Sequence, residues 1–228
     1  MVRAVLPGNP PVEVVLRPSA RARRLSLRVS GLDGRVTVSY PRHASDRQAM
    51  AFAEEKADWI RAQLARRVES LRVAPGTVLP VEGRALTVAP GPGRGVRIEE
   101  ERLLAPAEAT GAAVAAFLRA LARDRLAAAS DRHAGRLGRG FGRLTLRDTR
   151  SRWGSCSSAG DLMYSWRLVM APPEVLDYVA AHEVAHLAHM HHGPDFWAEV
   201  RRLYGDHRAA RGWLRREGAA LHRFRFAD

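Results

Sequence analysis

The first half of the chain carries short runs in which apolar and polar residues alternate, the pattern of half-buried β-strands. These runs cover residues 12–16, 25–29 and 36–40. Leu32-Asp33-Gly34 separates the last two runs and predicts a hairpin turn between them. Residues 1–11 are rich in Pro and Gly, so we expect them to be loose.

A helical period replaces the alternation after residue 41. Apolar residues between 45 and 71 recur at near-helical spacing and predict one long helix, with Ser45 as its cap and Phe52 and Trp59 in the core. Further short strands, the first two forming a hairpin, are expected at 78–81, 86–88 and 96–104. We interpret residues 12–105 as a β-rich N-terminal lobe with one long helix.

The composition shifts at residue 106 toward Ala, Leu and Arg, which favour helices. Helices are predicted over 108–133, from Pro172 onward, from Pro194 to Gly205, and over about 206–220. Between them, the pattern predicts a strand at 144–146, a polar turn at 147–160 and a strand at 163–169. These elements define a C-terminal core over 106–228, and the fold class of the chain is α+β.

The helix that begins at Pro172 contains the run His182-Glu183-Val184-Ala185-His186. Two histidines four residues apart lie about one turn apart on the same helix face, so their imidazoles can converge on one ion. Glu183 points roughly 100° round the helix, where it can reach a water on the metal without ligating the ion. This H-E-x-x-H arrangement is typical of zinc hydrolases, with two nitrogen ligands and one general base.

A catalytic zinc ion usually takes three protein ligands, and the third must come from beyond the helix. His189, His191 and His192 are the candidates. His192 stands just before the Gly-Pro break, where the chain can bring its ring back over the ion, and its spacing from His182 matches that of several zinc proteases. We therefore predict one Zn²⁺ per chain, held by His182, His186 and His192, with His191 as the alternative third ligand.

Composition limits the classes of protein that the chain can belong to. Its 228 residues suffice for one large domain or two modest lobes. The single cysteine, Cys156, excludes an internal disulfide framework. We expect a cytoplasmic protein without a membrane partner, because no signal peptide or apolar span is evident. The net charge of +13 predicts nonspecific affinity for polyanions and admits a nucleotide or nucleic acid as a partner through the basic surface.

Five motifs of the second half, in this order and spacing, closely resemble the YgjP-like metallopeptidases, relatives of the SprT-like and WLM zinc proteases. They are Arg152-Trp-Gly-Ser-Cys-Ser-Ser158, Trp166-Arg-Leu-Val-Met-Ala-Pro-Pro173, Val175-Leu-Asp-Tyr-Val179, His182-Glu-Val-Ala-His-Leu187 and His192-Gly-Pro-Asp-Phe-Trp197. The first half matches through residues 23–29 and 54–60, so the resemblance covers about 12–221. Ser165 stands where members commonly carry Asn, and His191 is an extra histidine.

The resemblance implies a zincin-like core, a zinc ion on His182, His186 and His192, and Glu183 as the catalytic acid/base. A metallopeptidase acting on a protein or peptide substrate is the leading hypothesis. One alternative is a metal-dependent nucleotide phosphohydrolase that cleaves a phosphoanhydride bond. Another is a nucleic-acid-associated binding module with a structural zinc.

Several further side chains are candidates for contact with a substrate or an oxyanion. They are Arg150, Arg152, Tyr164 and Arg167. The strand at 163–169 is either a sheet edge onto which an extended peptide adds or an ordinary core strand. Trp153 and Trp166 are expected to pack beneath the site, and Cys156 to be a small buried residue.

Overall fold

The structure is a computed structural model that describes residues 2–30, 34–65 and 69–226. It divides into two compact units, Met1–Glu69 and Ser70–Asp228. The sequence-based boundary at residue 105 falls inside the second unit. Strands that precede residue 105 share one hydrophobic core with the helices that follow it, which explains the difference.

The first unit contains a four-stranded sheet. Its strands are β1 (Val2–Leu6), β2 (Val12–Pro18), β3 (Ser26–Val29) and β4 (Val36–Tyr40). They lie in the order β1-β2-β4-β3, with β2 and β4 parallel and the other neighbours antiparallel. The three predicted strands are confirmed. The predicted turn residues Leu32 and Asp33 lie outside the described residues.

Residues 2–6 correct one prediction, because they form the edge strand β1 and are not loose. The backbone of β1 pairs with β2 along its whole length, and the Leu6 side chain is buried. Only two residues of this strand face inward, so its apolar pattern is too short to stand out in the sequence.

Two helices, α1 (Asp46–Glu55) and α2 (Ala57–Ala65), cover the inner face of this sheet. Ser45 caps α1 as predicted: its hydroxyl accepts the Gln48 N–H, and the Gln48 side chain accepts the Ser45 N–H in return. The prediction of one continuous helix is wrong, because the backbone leaves helical geometry at Lys56. The break lets Ile60 enter the core and leaves Trp59, which we expected to be buried, 46% exposed.

The second unit begins with the short strand β5 (Leu71–Arg72), whose first residue is the last residue of the predicted long helix. A four-stranded sheet follows, made of β6 (Val78–Val81), β7 (Arg84–Pro90), β8 (Arg97–Glu99) and β9 (Arg102–Ala105). The predicted hairpin between β6 and β7 is confirmed. Glu82 and Gly83 have φ values of 49° and 77°, as a type I′ turn requires.

A 28-residue helix, α3 (Thr110–Leu137), packs against a second, smaller sheet and the helices of the core. That sheet contains β10 (Leu144–Arg147), β11 (Gly154–Cys156) and β12 (Leu162–Ser165), in the order β10-β12-β11. β12 is parallel to β10 and antiparallel to β11. It therefore lies inside the sheet and does not form its edge.

The predictions for residues 147–169 need two corrections. β11 lies within the stretch predicted to be a polar turn. The predicted strand at 163–169 ends at Ser165, and Trp166–Met170 form a 3-10 helix in which all five side chains are buried. A short apolar run that is buried on every side has the same pattern whether it is extended or helical, so the sequence does not distinguish the two.

The helices α4 (Pro173–Ala185), α5 (Pro194–Tyr204) and α6 (Arg208–Arg216) complete the core. A second 3-10 helix (Gly218–Arg223) and the strand β13 (Phe224–Arg225), which pairs with β5, follow them. The prediction of one last helix over 206–220 is correct only for α6. The α+β fold class is confirmed. Across the part of the chain that the structure describes, no helix is both long and apolar enough to cross a bilayer.

Candidate metal centre

Helix α4 positions two of the predicted ligands. Pro172 and Pro173 begin the helix, and Glu174 lies in its first turn, where a carboxylate is favoured by the helix dipole. Its apolar residues are buried among α3, α5 and α6. His182 and His186 lie one turn apart near its carboxyl end, with ring centroids 5.2 Å apart and ring planes nearly perpendicular.

His192 comes from the turn after α4 and completes the group. Its Nε2 lies 3.1 Å from the Nε2 of His182. One ligand atom from each of His182, His186 and His192 lies within 4.8 Å of the other two. The sequence assigned the same three residues. The carbonyl of His189 hydrogen-bonds the Nδ1 of His186 at 3.0 Å, and the carbonyl of His191 accepts the Gly193 N–H, so these two residues shape the turn.

The chemistry of the cluster fits a zinc ion. Two nitrogen ligands of a tetrahedral zinc ion lie about 3.3 Å apart, close to the separation between His182 and His192. Burial, together with the neighbouring rings of His186 and His192, lowers the pKa of His182 to about 3. Burial also lowers the pKa of His186, against the opposite effect of its hydrogen bond to His189. Both imidazoles are therefore neutral near pH 7, with lone pairs available to a metal.

Glu183 follows His182 on α4 and is not one of the clustered ligands. Its side chain is buried, and its carboxylate accepts a hydrogen bond from the Cys156 N–H. Burial raises the pKa of Glu183 to about 8, although the charge of Arg152 and the Cys156 hydrogen bond act in the opposite direction. A carboxyl group with a pKa near neutrality can both accept and return a proton.

The strand β11 positions the Glu183 carboxylate. The Ser165 N–H donates to the Trp153 carbonyl. This bond determines which residues of β11 hydrogen-bond with β12 and which do not. Because peptide groups alternate along a strand, those of Gly154 and Cys156 point away from β12. The Glu183 carboxylate lies on this outward edge and receives the Cys156 N–H there.

Gly154 is the residue of the site that the sequence analysis missed. A Cβ atom at this position would lie 2.6 Å from both Cγ and Oε1 of Glu183. Only glycine therefore leaves room for the carboxylate in this place. Gly154 belongs to the Trp-Gly-Ser-Cys motif, but the pattern of this motif does not indicate which element of the fold it contacts.

A family model described as YgjP-like, metallopeptidase domain, matches residues 23–217. The chain belongs to this family. The resemblance drawn from the sequence is thus confirmed, and with it a metal-dependent peptidase domain.

Among solved structures, the chain is similar to the crystal structure of the metallopeptidase zymogen of Pyrococcus abyssi abylysin. The identity is 23%, the match covers 42% of this chain and 92% of that one, and the TM-score is 0.34. No curated protein matches the chain.

Aromatic side chains of α5 surround the three histidines of this YgjP-like domain. The Phe196 ring centroid lies 4.5 to 4.9 Å from the centroids of all three imidazoles. Trp197 lies 5.7 Å from His182 and 5.8 Å from His192. These rings restrict the orientation of the imidazoles and exclude water from one side of the cluster, which strengthens electrostatic interactions inside it.

Two of the candidate substrate contacts are buried within the YgjP-like domain. The Tyr164 hydroxyl lies 3.0 Å from the Ser130 Oγ, and its ring is fully buried. The Arg167 guanidinium makes two bonds to Asp148 and also donates to the carbonyls of Leu221 and Phe224. Both side chains have hydrogen-bond partners inside the protein, which indicates a structural role for Tyr164 and Arg167.

The other two candidates, Arg150 and Arg152, are exposed. The charge of Arg152 acts on Glu183, whereas that of Arg150 acts on Asp148 and His222. Of the four candidates, Arg152 is therefore the exposed one whose charge reaches the metal centre. Burial raises the pKa of the Cys156 thiol to about 11, so the thiol is protonated near pH 7.

Proposed function

We propose that this member of the family is a zinc-dependent peptidase in which His182, His186 and His192 hold the ion and Glu183 is the general base. The observation that carries the proposal is the convergence of three imidazoles beside a buried carboxylate that does not join them. A structural zinc site usually fills all four positions with protein ligands. The cluster formed by the described residues offers three, which leaves one position for a substrate or a water molecule.

A zinc ion held by His182, His186 and His192 would supply Lewis-acid chemistry, the activation of a water molecule and the polarisation of the substrate carbonyl. Glu183 would accept a proton from the attacking water and later deliver it to the leaving nitrogen. The Cys156 N–H fixes one orientation of the Glu183 carboxylate for both transfers.

The outward edge of β11 supports a binding mode for an extended peptide. The peptide groups of Gly154 and Cys156 point away from β12, and the Cys156 N–H donates a hydrogen bond to Glu183. A substrate that adds as a further strand along this edge is brought next to the carboxylate. This mode replaces the earlier expectation for 163–169, since β12 is an internal strand.

The test compares metal content and turnover in matched variants of the full chain. We expect Glu183→Gln to retain one zinc ion per chain and to lose peptidase activity, because it keeps the ligands and removes the base. His192→Ala should bind zinc more weakly, whereas the neighbouring His191→Ala should resemble wild type. Activity is measured on a peptide library and, in parallel, on nucleoside triphosphates.

Two outcomes would contradict the proposal. Turnover of Glu183→Gln at the wild-type rate would exclude Glu183 as the base. Release of phosphate from nucleoside triphosphates without cleavage of any peptide would instead support the phosphohydrolase alternative.

A further inference from the structure

The outer face of the N-terminal sheet carries a group of basic and hydroxyl side chains, next to Glu13 and Val15 of β2. Along β2 and β4 the inward residues are buried and apolar, and the residues between them face outward. Arg17 pairs with Ser39 across β2 and β4, and Thr37 pairs with Arg28 across β4 and β3. The register therefore places an arginine on each side of two hydroxyl groups on one face.

These side chains line one concavity of about 280 Å³. Its lining residues are Arg17, Arg28, Ser30, Arg35, Thr37 and Ser39. Three are arginines and three carry hydroxyls, and of these six described residues none is acidic or aromatic. The lining is thus rich in hydrogen-bond donors and carries a concentrated positive charge.

Arg17 and Arg28 make no ion pair with any carboxylate in the described part of the chain, whereas Arg3 on the adjacent strand β1 pairs with Glu13. Sheet spacings place the Cα atoms of Arg17 and Arg28 about 12 Å apart, a distance that two long side chains can close from opposite sides. Both guanidinium groups can therefore reach one anion, or two successive anions, above Thr37 and Ser39.

The ligand chemistry that matches this lining is the phosphate group. A guanidinium binds phosphate oxygens through two parallel bonds, and hydroxyls commonly donate to the same oxygens. Because Arg17 and Arg28 lie on two different strands about 12 Å apart, the face suits a chain of phosphates better than a single small anion. Since no aromatic ring lines it, bases have no stacking platform there, and recognition would be independent of sequence.

We propose that this face binds the phosphodiester backbone of a nucleic acid. The side chains involved are Arg17, Arg28 and the hydroxyls between them. None of the lining residues belongs to the metal centre, so this binding is separate from the proposed peptidase activity. It would retain a peptidase domain on nucleic acid without reading its sequence.

The test measures the fluorescence anisotropy of a labelled single-stranded oligonucleotide and of a labelled duplex, titrated with the full chain over a range of salt concentrations. The variant Arg17→Ala/Arg28→Ala should bind at least about tenfold more weakly, and its salt slope for the single strand should fall by about 1.4, or 0.7 per lost phosphate contact. The control Arg42→Ala/Arg47→Ala removes the same charge from exposed positions of the same unit and should bind like wild type.

Equal loss in the two double variants would show that total charge alone drives binding, and wild-type affinity in Arg17→Ala/Arg28→Ala would exclude the face; either overturns the proposal. Tighter binding of a poly-glutamate peptide than of the oligonucleotides would also overturn it in favour of an acidic protein partner. If the arginine variant fails to fold, Ser39→Glu is the second test. It retains both arginines, places a carboxylate in the concavity, and should weaken binding; unchanged affinity would contradict the proposal.

Discussion

The Glu183 carboxylate occupies the space that a side chain at Gly154 would need. A Cβ atom on Gly154 would lie 2.6 Å from Cγ and Oε1 of Glu183, well inside any normal contact distance. The backbone of β11 and the carboxylate of the H-E-x-x-H helix are therefore fitted to each other. This fit links the Trp-Gly-Ser-Cys motif to the metal centre.

Gly154→Ala should disable catalysis without releasing the metal. The added methyl group displaces the Glu183 carboxylate, and a displacement of about 1 Å can reduce turnover about 100-fold. The three histidines are not displaced, so the zinc content should remain that of wild type. Metal analysis and kcat measured on the same preparation check this prediction.

Gly135→Ala is the matched control for that substitution. Gly135 lies inside α3, and a Cβ there meets no atom within 4 Å. Alanine favours a helix over glycine by up to about 1 kcal/mol, so this variant should be slightly more stable and fully active. An equal loss of activity in both variants would contradict the specific contact between Gly154 and Glu183.

Tyr164→Phe should cost stability and spare turnover. The Tyr164 hydroxyl is buried against Ser130, and its loss leaves the Ser130 hydroxyl without this partner. We expect a loss of about 1–2 kcal/mol in the free energy of unfolding, measured with urea. A large fall in kcat with unchanged stability would instead identify Tyr164 as a group that contacts the reacting substrate.

Arg167→Lys should be strongly destabilising despite the retained charge. Arg167 is buried, forms two bonds with Asp148, donates to two backbone carbonyls and lies 4.7 Å from the centroid of the Trp166 ring. A lysine cannot reproduce this planar arrangement of donors, so we expect a loss of about 3 kcal/mol or more in the free energy of unfolding. Arg150→Lys, at an exposed position, is the control and should change little.

Stability toward acid should depend on Asp148. Partial burial opposes ionisation of Asp148, yet the Arg167 guanidinium holds its pKa below the usual range. A carboxyl group with a lowered pKa in the folded state stabilises the fold above its unfolded pKa of about 3.9, and this contribution is lost as the pH falls through the folded value. The unfolding free energy of wild type should therefore fall more steeply between about pH 5 and pH 2 than that of Asp148→Asn. Parallel curves for the two proteins would contradict this role.

Local patterns indicate the histidine cluster because the spacing of these residues is itself the signal. His182 and His186 lie on one helix face by periodicity alone, and the Gly-Pro break after His192 indicates a turn. The strands β2, β3 and β4 were equally accessible, since each alternates over several residues. For the histidines and for these strands, residues that are close in the sequence determine the local structure.

The features that the sequence analysis missed depend on contacts between distant parts of the chain. β11 is three residues long, and its pairing with β12 makes it a strand. The requirement for glycine at residue 154 arises from a side chain 29 residues away. The sequence offers Arg167 as a candidate substrate contact, whereas its partners include carbonyls more than 50 residues away, near the C-terminus. No pattern within a short window contains this information.

X-ray absorption spectroscopy at the zinc edge, on the purified and fully loaded protein, tests the central claim most directly. We predict one zinc ion per chain with about three imidazole nitrogens at 2.0–2.1 Å and one oxygen ligand. The first shell should be unchanged in Glu183→Gln and should lose one imidazole in His192→Ala. A shell that contains sulfur, or one that loses a ligand when Glu183 is replaced, would contradict the account.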